Sequence, residues 1–262
     1  MLQLDNELSI IKLEVVRFSE TQPNAQDFSV TGVDRLICSN DTNARSPASG
    51  VAVLVHRRWT KSIARKICLH DRVIFIDLKI AQKIIRVIAV YLPHMGYDWN
   101  YFINIFTDIE GLVMEAMNKG YTLVLAGDFN LTLDQGQRGD VMKELCTTFS
   151  LEIANGRTMA DSSDTWTWKS SYGQFRRIDY ILHSKRLRSF NISANRELDL
   201  GSDHRNVSAS IEYCRSPEHW KVQKKSFKGW KPIRDASHEP HLYHAHLQRL
   251  IHEYPSASLH DL

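Results

Sequence analysis

Short apolar segments of strand length, separated by polar turns, recur along the first 213 residues of the chain. This periodicity predicts a mixed α/β body that is rich in strands. Two of the segments, Val73–Ile80 and Ile84–Tyr91, are separated by a short polar turn, which predicts an antiparallel hairpin. The other predicted strands are Ile11–Phe18, Val51–Val55, Thr122–Gly127, Thr165–Trp168, Arg177–Leu182 and Asn206–Tyr213.

One long amphipathic helix is predicted between residues 98 and 119, where apolar residues recur at helical spacing. Asp98 suits its N-cap, and Gly120 suits its end. A second helix is predicted over Asp140–Phe149. The apolar positions of the long helix are Phe102, Ile105, Phe106, Ile109, Leu112, Val113, Ala116 and Met117.

The charge of the chain is concentrated at its C-terminal end. The formal net charge is +3; residues 1–214 hold 25 basic and 25 acidic side chains, and residues 215–262 hold 8 and 5. Seven of the 12 histidines also lie in this last segment. The sequence therefore predicts two parts, a neutral domain over 1–213 and a basic, His-rich tail or linker over 214–262.

The tail allows more than one interpretation. Its closely spaced histidines could bind a transition metal, or they could be solvated in a segment that proline interrupts repeatedly. Its lysines, interleaved with Trp220 and Trp230, are compatible with weak contacts to phosphate backbones or with a solvated linker. The histidines are His238, His241, His244 and His246, and the lysines are Lys221, Lys224, Lys225, Lys228 and Lys231.

The apolar segments are too short to cross a bilayer, which needs about 20 residues. Charged residues occupy the N-terminal positions where a secretory signal would be apolar. These features predict an intracellular protein, nuclear or cytoplasmic, with no membrane partner. The four cysteines are widely spaced, which favours free thiols in a reducing compartment.

Polar residues follow several predicted strands directly. Asp128 and Asn130 come after Thr122–Gly127, two positions apart, so an extended backbone would place them on the same side. Such a pair can hold a water molecule and a substrate oxygen. An ordinary Asp/Asn turn at a strand end is the alternative interpretation.

Two further acidic positions stand next to groups that could share their chemistry. Asp203 and His204 follow a glycine and precede the last strand. They could serve as a metal ligand and a proton-handling group, or they could belong to an ordinary surface turn. Asp179 lies within an apolar strand and needs a partner if it is buried. That partner could be a histidine, whose tautomer a carboxylate fixes, or Arg177 in a surface pair.

The N-terminal and central strands add two candidates, Glu20 at a strand end flanked by hydroxyl residues and Tyr91 before Pro93. In order, Ser19-Glu20-Thr21, Tyr91-Leu92-Pro93, Gly127–Asn130, Thr165-Trp166, Arg177–Tyr180 and Ser202–Arg205 resemble the motifs of the endonuclease/exonuclease/phosphatase family. The resemblance covers about residues 8 to 213. It is closest to the endonucleases of non-LTR retrotransposons.

The resemblance implies a DNase I-like fold, a four-layer α-β-β-α sandwich. It also implies a role for each matching residue. Glu20 and Asp203 would bind a divalent cation, Mg²⁺ or Mn²⁺, while Asp128 would activate water and Asn130 would position that water or the phosphate. His204, oriented by Asp179, would stabilise the phosphate, Tyr91 would contact it from the opposite side, and the surface would be supported by Thr165, Trp166 and Arg177. The family normally begins with a strand that ends in Asn, and no such strand precedes Ile11–Phe18. We therefore expect the domain to lack its first strand.

The implied activity is hydrolysis of phosphodiester bonds, as a DNA-nicking endonuclease whose natural context could include a reverse transcriptase module. A degenerate nucleic-acid-binding or interaction protein of the same fold is one alternative. Another is a related hydrolysis, either abasic-site cleavage or removal of a phosphate monoester, because loops set the substrate of a shared centre.

Overall fold

The computed structural model describes residues 15–19, 28–30, 35–39, 50–157, 166–195 and 202–213. By its internal contacts the chain divides into two units, Met1–Arg215 and Ser216–Leu262. The described residues all belong to the first unit, so the interpretations of the basic tail fall outside them.

Fourteen strands are formed by the described residues. Six form one sheet in the order β5-β6-β7-β8-β12-β9, and four form a second in the order β1-β4-β3-β2, while β10 pairs with β11 and β13 with β14. All the pairings are antiparallel except that of β7 with β8. The strands are β1 (Val15–Ser19), β2 (Phe28–Val30), β3 (Arg35–Ser39), β4 (Val51–His56), β5 (Ile63–His70), β6 (Val73–Ile80), β7 (Lys83–Tyr91), β8 (Thr122–Asp128), β9 (Leu151–Ile153), β10 (Trp168–Lys169), β11 (Phe175–Arg176), β12 (Asp179–Ser184), β13 (Leu187–Asn195) and β14 (Asn206–Tyr213).

Four helices lie among the described residues and connect these strands. The long one begins where predicted, because the Asp98 carboxylate caps it by accepting from the backbone N–H groups of Asn100 (2.8 Å) and Tyr101 (3.3 Å). It ends before Gly120, which has a φ of +69°. None of the described helices is long and apolar enough to cross a membrane. The helices are α1 (Arg57–Thr60), α2 (Trp99–Asn118), α3 (Gly136–Thr148) and α4 (Ala154–Arg157).

The six-stranded sheet is covered on both faces, and β6 shows how. Val73 and Phe75 lie in a core with α2 and α3, while Ile74 and Ile76 pack with the valines of β4 in the other sheet. Side chains alternate between the faces of a strand, so a strand that is apolar at every position must lie between two layers. The chain thus has the predicted α/β fold, with helix, sheet and sheet layers. The second outer helical layer is not among the described residues.

The predicted hairpin is confirmed, since β6 and β7 pair throughout and a two-residue turn joins Ile80 to Lys83. Six of the described strands were not predicted: β2, β3, β5, β9, β11 and β13. The alternation of β5 is interrupted by irregularities at both ends, and that of β13 by a bulge between Phe190 and Ser193. The second helix begins at Gly136 rather than Asp140, because two glycines in its first turn hide the helical pattern.

A network of charged side chains ties α2 to the sheet. Arg86 of β7 is fully buried and binds Asp77 through two bonds, from Nε at 2.7 Å and from Nη2 at 2.9 Å. Glu115 of α2 pairs with Arg86, with Lys119 and, at 2.9 Å, with Arg65. Burial alone would raise the pKa of Glu115, but these cations lower it to about 2. The pairing therefore stabilises the folded chain wherever Glu115 is ionised.

We predict that Glu115→Gln lowers the free energy of unfolding by about 2 kcal/mol at neutral pH. The stabilisation should be complete above pH 4.5, the ordinary pKa, and should disappear as the pH falls toward 2, where the folded-state group titrates. Urea unfolding of both proteins between pH 2 and pH 7 measures this difference.

Glu110, on the same helix, is the matched control. Burial and then the charge of Glu144 raise its pKa, so its ionised form costs stability. The free energy of unfolding of Glu110→Gln should therefore equal or exceed that of the unsubstituted protein at pH 7. A Glu115→Gln difference that stays constant over the whole pH range would contradict the assignment.

Candidate functional site

Three polar side chains lie side by side at one edge of the six-stranded sheet. Tyr91 ends β7, Asp128 ends β8 and Asp179 begins β12. Asp128 pairs in register with Tyr91 on one side and with Asp179 on the other. Residues paired across neighbouring strands share a face of the sheet. The sheet thus brings together three residues that are far apart in the sequence.

Gly127 allows β7 and β8 to approach closely at this edge. A Cβ atom at Gly127 would lie 2.0 Å from the carbonyl oxygen of Val90. Beyond the strand, the backbone N–H of Leu92 donates to the carbonyl of Asp128 at 2.9 Å. The ends of the two strands are therefore locked together just where Tyr91 and Asp128 project.

Asn130 closes a tight turn over the Asp128 carboxylate. Its backbone N–H donates to Asp128 Oδ1 (2.8 Å), and its Nδ2 donates to Asp128 Oδ2 (3.1 Å) and to the carbonyl of Leu92 (2.8 Å). Asn130 has a φ of +49°, in the left-handed region that asparagine tolerates better than most residues. Both amide hydrogens of Asn130 are thus engaged, and its Oδ1 is the atom left to act on a ligand.

His204 joins the cluster from a distant part of the chain. Its Nδ1 lies 2.9 Å from Asp179 Oδ2, a hydrogen-bond distance. This is the histidine partner that one interpretation of the sequence required for Asp179. Its Nε2 faces Asp128 Oδ2 at 4.0 Å, too far for a direct hydrogen bond and far enough to admit a bridging oxygen.

Two buried residues that sequence reasoning missed hold the backbone of Asp179. The Oγ1 of Thr167 accepts from the N–H groups of Ile178 (3.0 Å) and Asp179 (3.1 Å). The Nδ2 of Asn155 donates to the carbonyl of Asp179 (2.8 Å), and its Oδ1 accepts from the N–H of Ile181 (3.1 Å). Both side chains are fully buried. Their positions give no local signal, because the contacts join segments that are distant in sequence.

The segment carrying Asp203 and His204 is held against the β10–β11 hairpin. The indole Nε1 of Trp168 donates to Asp203 Oδ2 at 2.7 Å, and the N–H of Lys169 donates to the Asp203 carbonyl at 3.0 Å. The N–H of Arg205 donates to the Thr167 carbonyl at 2.7 Å. Asp203 Oδ1 then lies 4.0 Å from His204 Nε2. The hairpin therefore sets the position of both residues.

Trp166 and Arg177, the remaining predicted residues that the structure describes, contact neighbouring parts of the fold. The guanidinium carbon of Arg205 lies 3.6 Å from the centroid of the Trp166 ring, and the Phe175 ring lies 4.8 Å from that centroid. Arg177 donates from Nη1 to the carbonyls of Asn155 and Gly156, both at 3.2 Å. These contacts brace the hairpin and α4. Glu20 and Thr165 lie outside the described residues.

The charge of His204 follows from its surroundings. Burial lowers the pKa of the imidazole, but the hydrogen bond to Asp179 and the charges of Asp179, Asp128 and Asp203 outweigh it and raise the pKa to about 9. His204 is therefore an imidazolium at neutral pH. As a cation it can donate from Nε2 toward an anionic oxygen.

The donor atoms of the cluster fit a divalent cation. Ligand atoms of Asp128, Asp179 and His204 all lie within 4.8 Å of one another. Because a protonated imidazole has no nitrogen lone pair to share, the carboxylate oxygens are the atoms of this cluster that could bind the cation. Three carboxylates, those of Asp128, Asp179 and Asp203, surround one positive imidazole, so two negative charges remain. Carboxylate oxygens are the ligands that Mg²⁺ and Mn²⁺ prefer.

Comparison with known proteins shows similarity in sequence and in fold. A sequence model of the Endonuclease/Exonuclease/phosphatase family matches residues 1–204. Craniofacial development protein 2 of Bos taurus is 26% identical in an alignment 230 residues long, which covers 78% of this chain and 38% of that protein. The chain therefore spans well under half the length of this relative.

Solved structures share the fold at low identity. The APE2 catalytic domain of Xenopus laevis superposes with a TM-score of 0.61 at 15% identity, covering 82% of this chain and 89% of that one. A variant of the 3′ phosphatase NExo from Neisseria, bound to a product DNA hairpin, gives 0.60 at 18%, covering 81% and 94%. TDP2 from C. elegans gives 0.58 at 12%, covering 80% and 68%. These structures confirm the predicted DNase I-like fold.

We predict that Asp179→Asn lowers the pKa of His204 from about 9 toward its ordinary 6.5, because the largest favourable partner loses its charge while burial still opposes protonation. Imidazole NMR titration of the metal-free protein measures this. The His204 resonance among the 12 histidines is assigned from its loss in His204→Gln.

Asp140→Asn is the matched control for this titration. That carboxylate is exposed on α3 and pairs with Lys143, so its loss should leave the His204 midpoint unchanged. A midpoint below 7 in the unsubstituted protein would contradict the cluster's effect on His204.

Proposed function

The chain belongs to the endonuclease/exonuclease/phosphatase family, and on that premise we propose that it is a divalent-metal-dependent hydrolase that nicks DNA. The observation that carries this proposal is the contact of His204 with Asp179, beside the turn of Asp128 and Asn130. Together they supply a cation and a carboxylate on the two sides of a gap of 4.0 Å, with the Asn130 amide bonded to that carboxylate. Hydrolysis of a phosphodiester needs a base for the attacking water and donors to the negative charge that develops on the phosphate.

In the proposed reaction, a water oxygen attacks phosphorus and the bond to the 3′ oxygen breaks. The leaving 3′ oxygen takes a proton from solvent, which leaves a 3′-hydroxyl and a 5′-phosphate. Asp128 accepts a proton from the water, and the Oδ1 of Asn130 orients it, since the amide hydrogens of Asn130 are already engaged. The His204 imidazolium donates to a phosphate oxygen and stabilises the charge that develops there. Tyr91 contacts the phosphate from the other side of Asp128.

A bound Mg²⁺ or Mn²⁺ would neutralise negative charge on the phosphate. Asp203 is the described residue that we assign to it, and Glu20 is the second ligand implied by the family motif. Asp203 suits this role because its side chain is 61% exposed and faces His204 Nε2 at 4.0 Å. Asp179 is less suited, because its side chain is only 11% exposed and one of its oxygens is bonded to His204.

The proposed origin in a non-LTR retrotransposon, with a reverse transcriptase module as partner, stays a prediction from the motifs Ser19–Thr21, Gly127–Asn130 and Ser202–Arg205. The comparisons give the family and no closer branch. The alternative of a non-catalytic nucleic-acid-binding protein also stays a prediction. The nicking experiment below distinguishes it from an enzyme.

We predict that the full chain nicks supercoiled plasmid with Mg²⁺ and that EDTA abolishes the reaction. His204→Ala should slow nicking at least about 100-fold, the typical effect of removing one donor to a developing oxyanion. His56→Ala is the control, since His56 caps α1, outside the cluster, by accepting from the N–H of Arg58. Equal nicking by the protein and His204→Ala would remove His204 from the reaction, while binding without nicking would support the non-catalytic alternative.

Cleavage at abasic sites is a second candidate, which the similarity to an APE2 catalytic domain and to the AP endonuclease LMAP from Leishmania major favours. A general nicking enzyme should cleave a duplex oligonucleotide with one abasic analogue about as fast as the intact duplex, because its contacts are to the backbone. Cleavage rates on the two substrates measure this. A preference of about 100-fold for the abasic duplex would replace general nicking with abasic-site cleavage.

A further inference from the structure

A buried arginine lies directly beside Tyr91. Arg72, in the turn between β5 and β6, is 3% exposed. Its guanidinium carbon lies 4.9 Å from the centroid of the Tyr91 ring, 5.1 Å from that of Tyr97 and 5.6 Å from that of Tyr101. Three aromatic rings therefore surround one cation, at distances where the ring quadrupoles attract it.

Hydrogen bonds fix the guanidinium within this aromatic cluster. Its Nε donates to the hydroxyl of Tyr101 at 3.1 Å, and its Nη1 donates to the carbonyl of Tyr91 at 3.3 Å. The carbonyl of Arg72 in turn accepts from the N–H of Tyr91 at 2.9 Å. Both backbone polar groups of Tyr91 are thus bonded to this one residue.

Such an arrangement is specific to arginine. Lysine would keep the charge but would lose the planar group that stacks on rings and donates in two directions at once. Burial opposes a charged guanidinium, yet Tyr101, Asp71 and Tyr97 keep its pKa above the ordinary value, so the cation persists. The positive charge thus lies at the edge of the sheet where Tyr91 stands beside Asp128.

A second buried arginine holds the segment that follows. Arg138 of α3 donates to the carbonyls of Pro93 (2.6 Å) and Tyr97 (2.9 Å). It acts on the turn after β7, whereas Arg72 contacts the ring and the backbone of Tyr91 itself. Arg138 therefore supports the loop after β7, whereas Arg72 supports the Tyr91 side chain.

We infer that Arg72 is a positioning residue for Tyr91, holding its ring at the edge of the sheet where the substrate phosphate binds. The catalytic part of this inference rests on the proposed function. Arg72 touches neither the reacting atoms nor the metal in this assignment, and its effect on the reaction passes through Tyr91. The hydrolysis rate should therefore depend on Arg72 only while the Tyr91 hydroxyl is present.

The kinetic test is a double-mutant cycle on plasmid nicking, with Arg72→Lys, Tyr91→Phe and the combined variant. We expect Arg72→Lys to lower kcat about tenfold with little change in KM, and to lower it less than about twofold in the Tyr91→Phe background. Tyr101→Phe, which removes one acceptor of Arg72 and keeps the rings, should give a smaller loss in the same direction. Equal losses from Arg72→Lys in both backgrounds would overturn the inference.

Arg86→Lys is the matched control, because it also replaces a fully buried arginine of this sheet but one that pairs with Asp77 and Glu115. It should lower the melting temperature without changing the kcat of the folded protein. An Arg72→Lys effect on kcat no larger than that of Arg86→Lys would reduce Arg72 to a residue that supports stability only.

A second measurement does not depend on activity. With 3-fluorotyrosine in place of the nine tyrosines of the full chain, the Tyr91 resonance is identified by its loss in Tyr91→Phe. Arg72→Lys should shift and broaden this ¹⁹F signal, and Arg86→Lys should leave it in place. If the signal does not move in Arg72→Lys, the positioning role is overturned. If the signal moves in Arg72→Lys but the unsubstituted protein does not nick DNA, only the proposed function is refuted.

Discussion

The candidate site depends on the parallel pairing of β7 with β8. This pairing sets Tyr91 next to Asp128, and it is possible at this closeness only because Gly127 has no side chain to meet the carbonyl of Val90. The antiparallel partner β12 then adds Asp179 on the other side of Asp128. A shift of β12 by one residue would turn Asp179 to the opposite face and separate it from His204. The register of three strands thus determines which side chains the candidate site brings together.

Arginines support this sheet where lysines or apolar residues could not. Arg86 binds Asp77 through two bonds inside the core, Arg72 lies among three tyrosines, and Arg138 donates to two loop carbonyls. Each guanidinium satisfies several acceptors from one planar group, which offsets the loss of its hydration. Arginine side chains therefore connect α2 and the turn after β7 to the sheet, and they also hold the end of β7 in place.

The sequence was sufficient for the elements whose signals are local. The β6–β7 hairpin, the capped helix after Asp98 and the polar residues at the strand ends all follow from periodicity and capping. The supports of Asp179 could not be found in this way, because Thr167 and Asn155 contact it across 12 and 24 residues of sequence. Arg72 gave no signal either, since one arginine before an apolar strand predicts solvent exposure. Local patterns thus locate the residues of the candidate site, whereas their supports depend on tertiary packing.

The charge balance of the site explains how a neutral domain could act on a polyanion. His204 contributes one positive charge to a cluster of three carboxylates, and that charge is retained because those carboxylates raise its pKa to about 9. A phosphate entering the cluster would still meet an excess of negative charge. A divalent cation would cancel this excess locally, although it adds nothing to the residue count. The net charge of residues 1–214 is therefore a poor guide to binding DNA, and the surplus of carboxylates around His204 is itself the strongest argument for a metal-dependent reaction.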